Sequence, residues 1–569
     1  MLLPQRHLAG TGCAVYQAGN ISYCGRFFAD SSSSSFDRHQ EMQHKLNAFF
    51  LPLILSLGCL LGALLTPDVQ PATPANQDLA SQPVTPQEEG SVETQEAVFT
   101  DWKIPSVALF ITGRQDGYIE PCGCTGLANQ LGGMMRRHTL MTELQNDGWN
   151  LVGIDTGNQV RRFGRQANLK IGTTYQCLGE DLHYAAVGLG PNDLKLPTID
   201  LMQAMTNSGI ANDDFVTCNV SVFDPDFTSK YKVIEQGGKK IGLTMVLGEE
   251  YFKSLEGMSD VTTEAIAPAM QAAIQSLDEE ACDFKVLVAN TSLENSRAMA
   301  NQYPVFDLLV CSGVDGEPTG QPEIIKDPAT GHVTQMIQTG NKGMHVGVVG
   351  LFDKEDETVM RYQRVPLDAR YKDSETIKLK FLSYQSQLKS LGLEGLAIKP
   401  VAHPSGRNYV GSEACYDCHD SAFDIWKDGM DGQGGPHFRA TADLTDPGER
   451  TWVKRHHDPE CLSCHVTGWN PQQYFPYESG YLKLEDSLLH GNGCENCHGP
   501  GSLHVAAENG DIDVTEEQRV QLVQDMVVTL EQAKTSLCIS CHDLDNSPDF
   551  HVDGAFDKYW EQIKHYEDD

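Results

Sequence analysis

Apolar positions fall into short runs from about residue 104 onward: SVALFIT (106–112), NLVGID (150–155), YAAVGL (184–189), KIGLTMVLG (240–248), KVLVAN (285–290), FDLLVC (306–311) and HVGVVGLF (345–352). Stretches with helical spacing lie between several of them, at 127–147, 262–279 and 292–303. Short apolar strands that alternate with helices predict an α/β layer over 104–365 with largely buried sheets. Residues 371–395 read as an amphipathic helix, with Ile377, Leu379, Leu382, Tyr384, Leu388 and Leu391 near helical spacing. Such a helix would close the layer or bridge to the next segment. After Pro400 the long apolar runs stop, while Gly, Pro, Asp, Cys and His rise. The segment 401–569 therefore has too few aliphatic residues for a strong core of its own, and something other than side chains must fill it.

Upstream, LNAFFLPLILSLGCLLGALLT runs from Leu46 to Thr66 without a charge, 21 residues that suffice to span a bilayer. Lys45 precedes it, and no Lys or Arg follows before Asp101. The positive-inside rule then places the C-terminal bulk outside the cytoplasm, held by a signal peptide or membrane anchor. Residues 1–45 have no clear periodicity and read as a poorly ordered leader or an over-extended start. Residues 67–102 are rich in Pro, Gln, Thr and Glu and read as a linker.

Charge narrows the partners. A formal net charge of -36 argues against nucleic acid and anionic lipid surfaces. It suits a solvated exported protein or a partner with a basic docking patch. The 17 cysteines are more than a cytosolic enzyme ordinarily carries without metal or redox chemistry.

Eight of those cysteines fall after residue 400, in four pentamers of one pattern: CYDCH (Cys415, Cys418, His419), CLSCH (Cys461, Cys464, His465), CENCH (Cys494, Cys497, His498) and CISCH (Cys538, Cys541, His542). Two thiols three residues apart on a helical turn can reach the two vinyl groups of a porphyrin, and the adjacent imidazole then sits under the iron. A structural zinc site also uses Cys-x-x-Cys pairs, but it does not need a histidine after every second cysteine. The four repeats predict four covalent c-type haems with His419, His465, His498 and His542 as proximal iron ligands. Haem surfaces would supply the missing core. Covalent haem attachment also implies a periplasmic or otherwise extracytoplasmic location.

These residues carry a resemblance. YVGSEACYDCH, GPHFRATADL, CLSCHVTGWN, GCENCHGPGSLHV and CISCHDLDNSPDF with FDKYWEQIKH, in that order, resemble tetrahaem cytochromes of the cytochrome c-554 type over about 405–565. The resemblance implies His437, His504 and His565 as distal iron ligands. For the fourth haem His403 is the candidate, with His457 next, and in relatives of this kind one iron can stay open. His504 is expected at a neighbouring haem, because the short Gly-Pro-Gly-Ser link after His498 could hardly lead around to the opposite face of the same one.

A second resemblance lies in GYIEPCGCTGLANQLGGMMRR (117–137), GIDTGN (153–158), CNV (218–220), DLLVCSG (307–313) and IQTGNKGMHVGVVGL (337–351). It is similar to calcineurin-like metallophosphoesterases of the 5'-nucleotidase type. It implies an α/β sandwich whose strand ends present ligands to two metal ions. The active-site pattern departs from that family. The first strand ends in Thr112, Gly113 and Arg114 where Asp-x-His is expected. Asp155 is kept, but Asn158 stands at the bridging aspartate. Asn192 and Asp193 lack the accompanying histidine, and the late histidines are replaced in NTSL (290–293) and CSGVDG (311–316). Two divalent ions would be poorly held, so a non-hydrolytic domain is expected. Cys122 and Cys124 in PCGC could bind a soft metal or act in redox exchange, or form a buried or disulfide-linked turn. Arg136 and Arg137, in the helix after that loop, could meet an anion, pack, or face solvent.

The sequence thus predicts an α/β sandwich joined to a mainly α, loop-rich multihaem segment, acting in electron transfer. Two alternatives remain open. One is an oxidoreductase acting on a small nitrogen or oxygen compound at an open haem iron. The other is a live phosphoesterase fused to a cytochrome.

Overall fold

Fourteen strands among the described residues build the α/β part, and burial on both faces of the central ones explains how they stack. In the computed structural model, which describes residues 97–121, 130–162, 164–354, 357–430, 432, 434–446, 453–544 and 546–565, they are β1 (Val107–Thr112), β2 (Leu151–Asp155), β3 (Ala186–Gly188), β4 (Phe215–Val216), β5 (Val220–Val222), β6 (Lys232–Gln236), β7 (Lys239–Leu247), β8 (Val261–Thr263), β9 (Phe284–Asn290), β10 (Leu308–Cys311), β11 (Glu323–Lys326), β12 (Val333–Gln338), β13 (His345–Lys354) and β14 (Glu357–Pro366). One six-stranded sheet has the order β14-β13-β1-β2-β3-β4, and the other β11-β12-β10-β9-β7-β6. Their centres are parallel (β1 with β2, β2 with β3, β7 with β9, β9 with β10), and antiparallel pairs close three of the four edges, the fourth being the parallel pair of β3 with β4.

Along β1, Val107, Leu109 and Ile111 face the second sheet, where they meet Ile241, Met245, Val286 and Val310. Ala108 and Phe110 face the other way, onto helices Met134–Asn146, Arg165–Gln176 and Glu375–Gly395. Both faces of the strand are therefore apolar, as expected of a central parallel strand. The outer face of the second sheet, through Leu287, Ala289 and Leu309, packs on helices Ile266–Glu279 and Leu293–Gln302. The result is a four-layer α/β sandwich.

The seven expected strands all appear, and so do the three expected helices, although the first begins only at Met134. Helix Glu375–Gly395 differs in its face. Leu379, Leu382 and Leu391 are exposed, while Phe381 and Gln385 are buried beside Ile377, Tyr384 and Leu388. Phe99 and Trp102, at the end of the stretch read as linker, pack on Trp149 with ring centroids 5.0 and 5.9 Å away.

Beyond residue 400 the helices are short and the cores small. One cluster holds Leu444, Leu462, Val466, Trp469 and Tyr481, and another Ala533, Phe550 and Phe556. No helix among the described residues is long and apolar enough to cross a membrane. The apolar run 46–66, the leader before it, and Cys122 and Cys124 all lie outside the described residues.

Candidate haem sites and the expected metal site

Short helices carry the Cys-x-x-Cys-His motifs, so each second cysteine and its histidine project from one turn. The clearest are Pro459–His465 and Cys494–His498. Motifs distant in sequence are brought side by side. The thiols of Cys415 and Cys494 interact, as do those of Cys464 and Cys541, and Cys497 lies within electrostatic reach of Cys538. The spatial order is first, third, fourth, second.

The histidines come together in pairs. His419 faces His504 with ring centroids 6.5 Å apart and planes at 30°. His437 faces His542 at 6.2 Å and 46°, and His498 faces His565 at 5.7 Å and 46°. Two imidazoles that share one metal, each with a nitrogen about 2 Å from it, have centroids roughly 6 Å apart. The pairs therefore fit an iron between them. Carbonyl groups orient two of the proximal rings: His498 Nδ1 lies 2.7 Å from Met526 O, and His465 Nδ1 2.7 Å from Ala440 O. A carbonyl only accepts, so each Nδ1 carries the hydrogen and each Nε2 keeps its lone pair for a metal. Burial pushes the His437 imidazole down to about 4, and His542 and His465 reinforce this, so it stays neutral at pH 7.

His465 has no such partner ring among the described residues. His403 instead packs against Tyr477 at 4.7 Å and Tyr409 at 5.8 Å, with Nδ1 2.7 Å from Ser405 Oγ. His457 lies against His456, with centroids 4.1 Å apart and planes tilted by 46°. His465, Cys461 and Cys464 open instead into a cavity of about 390 Å³ whose other wall is the sandwich, including Tyr118, Glu120, Arg162 and Lys170.

The helix that carries this second motif is clamped to the sandwich. Glu460 accepts from Arg162 (2.8 Å) and Lys170 (2.7 Å). Asp458 accepts from Gln166 (2.6 Å), Tyr384 (3.3 Å) and Gln385 (3.3 Å), which explains why Gln385 rather than Leu382 faces inward. Arg455 pairs with Glu120. Burial outweighs Arg455 and pushes the Glu120 carboxyl up to about 7. Pro121, the first residue of PCGC, and Gln130 also line the cavity.

At the positions where the metallophosphoesterase resemblance would place metal ligands, the side chains are engaged internally. Asp155 is fully buried. Its Oδ1 accepts from Gly157 N (2.9 Å) and Gln159 Nε2 (2.6 Å), and its Oδ2 from Thr112 Oγ1 (2.6 Å). Arg137, also fully buried, reaches the same Oδ2 at 3.5 Å and pairs with Gln115. Of the three roles open to Arg137, the structure shows packing inside the sandwich, with Asp155 as its internal partner. Arg136 is buried too, bound to backbone carbonyls of Gln130 and Leu367. Asn158 takes a left-handed φ of 60° and accepts from Asn192 N at 3.0 Å. Gly157 beside it has φ +91°, and a Cβ there would meet Gly190 N at 2.5 Å, so only glycine fits. Asp193 accepts three backbone N–H groups, from Asn158, Gln159 and Gly190, at 2.6–3.0 Å. Arg114, at the expected first-ligand position, binds Val314 O and pairs with Asp315. No group of three His, Cys, Asp or Glu side chains converges among the described residues. The site binds itself together with guanidinium and backbone donors.

Glu495, inside CENCH, was not legible as functional. Its carboxylate is buried and accepts from Val410 N (3.0 Å), Gly411 N (2.7 Å) and Gly501 N (2.8 Å), which ties the loops before the first and after the third motif. Glu495→Ala strands three donors and is expected to cost about 3 kcal/mol. Thermal melting followed in the haem band should show it, with the haem content unchanged; a loss below 1 kcal/mol would remove the strap role.

Known proteins divide along the same line. Residues 414–499 match the family described as "Cytochrome c554 and c-prime". Cytochrome c-554 of Nitrosomonas europaea is 30% identical over 104 residues, 16% of this chain and 39% of that protein, so the chain spans well under two thirds of the curated relative it matches. Among solved structures, a 5'-nucleotidase precursor from Thermus thermophilus aligns at TM-score 0.44 and 16% identity, covering 59% of this chain and 66% of that one. The NAD nucleotidase of Haemophilus influenzae aligns at 0.43 and 14%, covering 60% and 68%. The chain thus carries, beyond its α/β sandwich, a segment similar to cytochrome c-554.

Proposed function

We propose that this is an exported c-type cytochrome that relays electrons through four covalently held haems, with a non-hydrolytic sandwich as its second part. The observation that carries the reading is the set of three facing histidine pairs, 5.7–6.5 Å between centroids, each joining a Cys-x-x-Cys-His histidine to a distant one. Haem supplies one-electron chemistry when bound, and its potential follows from the axial ligands and burial. The chain does the rest. Cys415/Cys418, Cys461/Cys464, Cys494/Cys497 and Cys538/Cys541 would anchor the haems. His419 with His504, His542 with His437 and His498 with His565 would hold three irons from both sides, and His465 would hold the fourth from one side. The neighbouring thiols set the relay order, from the second motif through the fourth and third to the first. The formal charge of -36 suits a redox partner with a basic docking surface. The run 46–66 would direct export and, if retained, anchor the protein in the membrane.

A second reading, reaction of a small molecule at the second haem, is favoured by the lack of an imidazole facing His465 among the described residues, where the other three motif histidines each have one. One preparation tests both. Pyridine haemochrome analysis of protein made in a host that matures c-type haems should give four haems per chain, and carbon monoxide should bind one of them after reduction. Zinc in place of haem would overturn the first reading. Four haems that all ignore carbon monoxide would overturn the second.

A further inference from the structure

Three charged residues around the start of the second-motif helix, Pro459–His465, reach across to the other part of the chain. Arg455 pairs with Glu120, Asp458 accepts from Gln166, Tyr384 and Gln385, and Glu460 accepts from Arg162 and Lys170. Gln166 and Lys170 stand four residues apart on helix Arg165–Gln176, so both project from one face. Arg162, just before that helix, lies over the Tyr474 ring, 3.9 Å from its centroid. The first and third motifs are tied differently, to each other, through Glu495. Lys170 is only 9% exposed, and a lysine is seldom buried so far unless paired. Burial would raise the Glu460 carboxyl, yet Lys170 and Arg162 hold it below the usual range, so it stays ionised at pH 7. Two cations on one carboxylate leave this cluster with one positive charge.

Stability alone explains the cluster poorly. Burying charges costs about what pairing them returns, and a well-packed apolar contact would join two parts as firmly. What the charges add is a field, which a medium of low dielectric screens weakly. Glu460 directly precedes the attachment cysteine Cys461, and Arg162 and Lys170 border the space that Cys461, Cys464 and His465 leave for their haem. The other charges on that border have partners or face water. Arg455 pairs with Glu120, Arg114 and Arg161 act on Asp116, Asp458 takes its three donors, and Asp443 is exposed.

We propose that the sandwich is the charged seat of the second haem, and that Lys170 and Arg162, through Glu460, are positioning residues that hold this haem's potential up. The proposal rests on the reading that a haem is attached at Cys461 and Cys464 with His465 on its iron. Positive charge beside a haem favours the reduced iron, which carries one charge fewer. The second haem stands at one end of the spatial order of motifs, so the sandwich sets the driving force at that end of the relay. A domain without hydrolytic metal ligands thereby has a redox task.

Spectropotentiometry of the holoprotein tests the assignment by sign. Lys170→Met should move one of the four haems to lower potential, by about tenfold in its reduction equilibrium, or about 59 mV for one electron. Glu460→Gln should move the same haem to higher potential by a similar amount. The double variant has the net charge of the wild type and should return to within about threefold of it. Lys170→Arg keeps the charge and should keep all four potentials. A contact that only glues the two parts together would shift both single variants the same way, or neither, and either result overturns the proposal. If Lys170→Met matures incompletely, Glu460→Gln decides alone, and an unmoved or lowered potential there is equally fatal. A haem count keeps the two readings apart. Fewer than four haems in the wild type defeats the parent reading, whereas four haems without the opposed shifts defeats only this one.

Discussion

His504→Ala is expected to open the iron of the haem at Cys415 and Cys418 and to leave the one at Cys494 and Cys497 six-coordinate, although His504 lies only six residues after His498. The ring of His504 faces His419, with centroids 6.5 Å apart, whereas His498 faces His565 at 5.7 Å. The backbone shows why. Gly499 takes φ +81°, and the helix Ser502–Glu508 then starts at once and carries His504 away from its own motif. Carbon monoxide binding to the reduced variant should rise from one to two per chain, and a high-spin signal should appear in the oxidised spectrum. Potentiometry should show one haem moved to higher potential, because a second imidazole stabilises the oxidised iron. The haem count should stay at four. If His565→Ala gave the same altered haem as His504→Ala, the pairing would be wrong. The predicted consequence for the relay is specific: the altered haem is the terminal one in the spatial order, so transfer among the other three should persist.

The motifs were legible because covalent attachment needs a five-residue pattern, and local chemistry leaves a local trace. The partners were legible only in part. His437 and His542 are brought together by tertiary packing, and no spacing rule couples them. The same holds for Arg455 and Glu120, and for Glu460 with Lys170. The strands were readable since β1 and its neighbours are apolar on both faces, which leaves an unbroken run. Helix Glu375–Gly395 was misjudged by face. Gln385 turns inward to reach Asp458, a polar burial that hydrophobic spacing cannot report. The cavity at His465 was invisible in the sequence, because its two walls lie about 340 residues apart along the chain.

Arg137→Met is expected to be among the most destabilising single changes in the sandwich, at about 3–5 kcal/mol, measured by denaturant unfolding of the holoprotein. Arg137 and Asp155 are both fully buried, so loss of the guanidinium leaves a carboxylate with no neutralising charge. Gly157, Gln159 and Thr112 would still donate to Asp155, but dipoles do not replace a cation in a medium of low dielectric. Gln115 would also lose the donor that fixes its Oε1. Adding Asp155→Asn to Arg137→Met should recover part of the loss, since the double variant buries no net charge. The size of that recovery measures the pair. A single-variant cost below 1 kcal/mol would mean that the pair is not what closes this site. The pair also bears on activity. Asp155 is the one carboxylate kept from the expected metal-binding pattern, and here its oxygens are committed to backbone, amide, hydroxyl and guanidinium donors. Removing Arg137 frees one contact on Oδ2 and supplies none of the missing ligands at Arg114, Asn158 or Asn290. Phosphatase assays with added manganese or zinc should therefore stay silent for both the wild type and Arg137→Met. The guanidinium thus supplies to Asp155 the neutralising charge that a bound metal would otherwise have to supply.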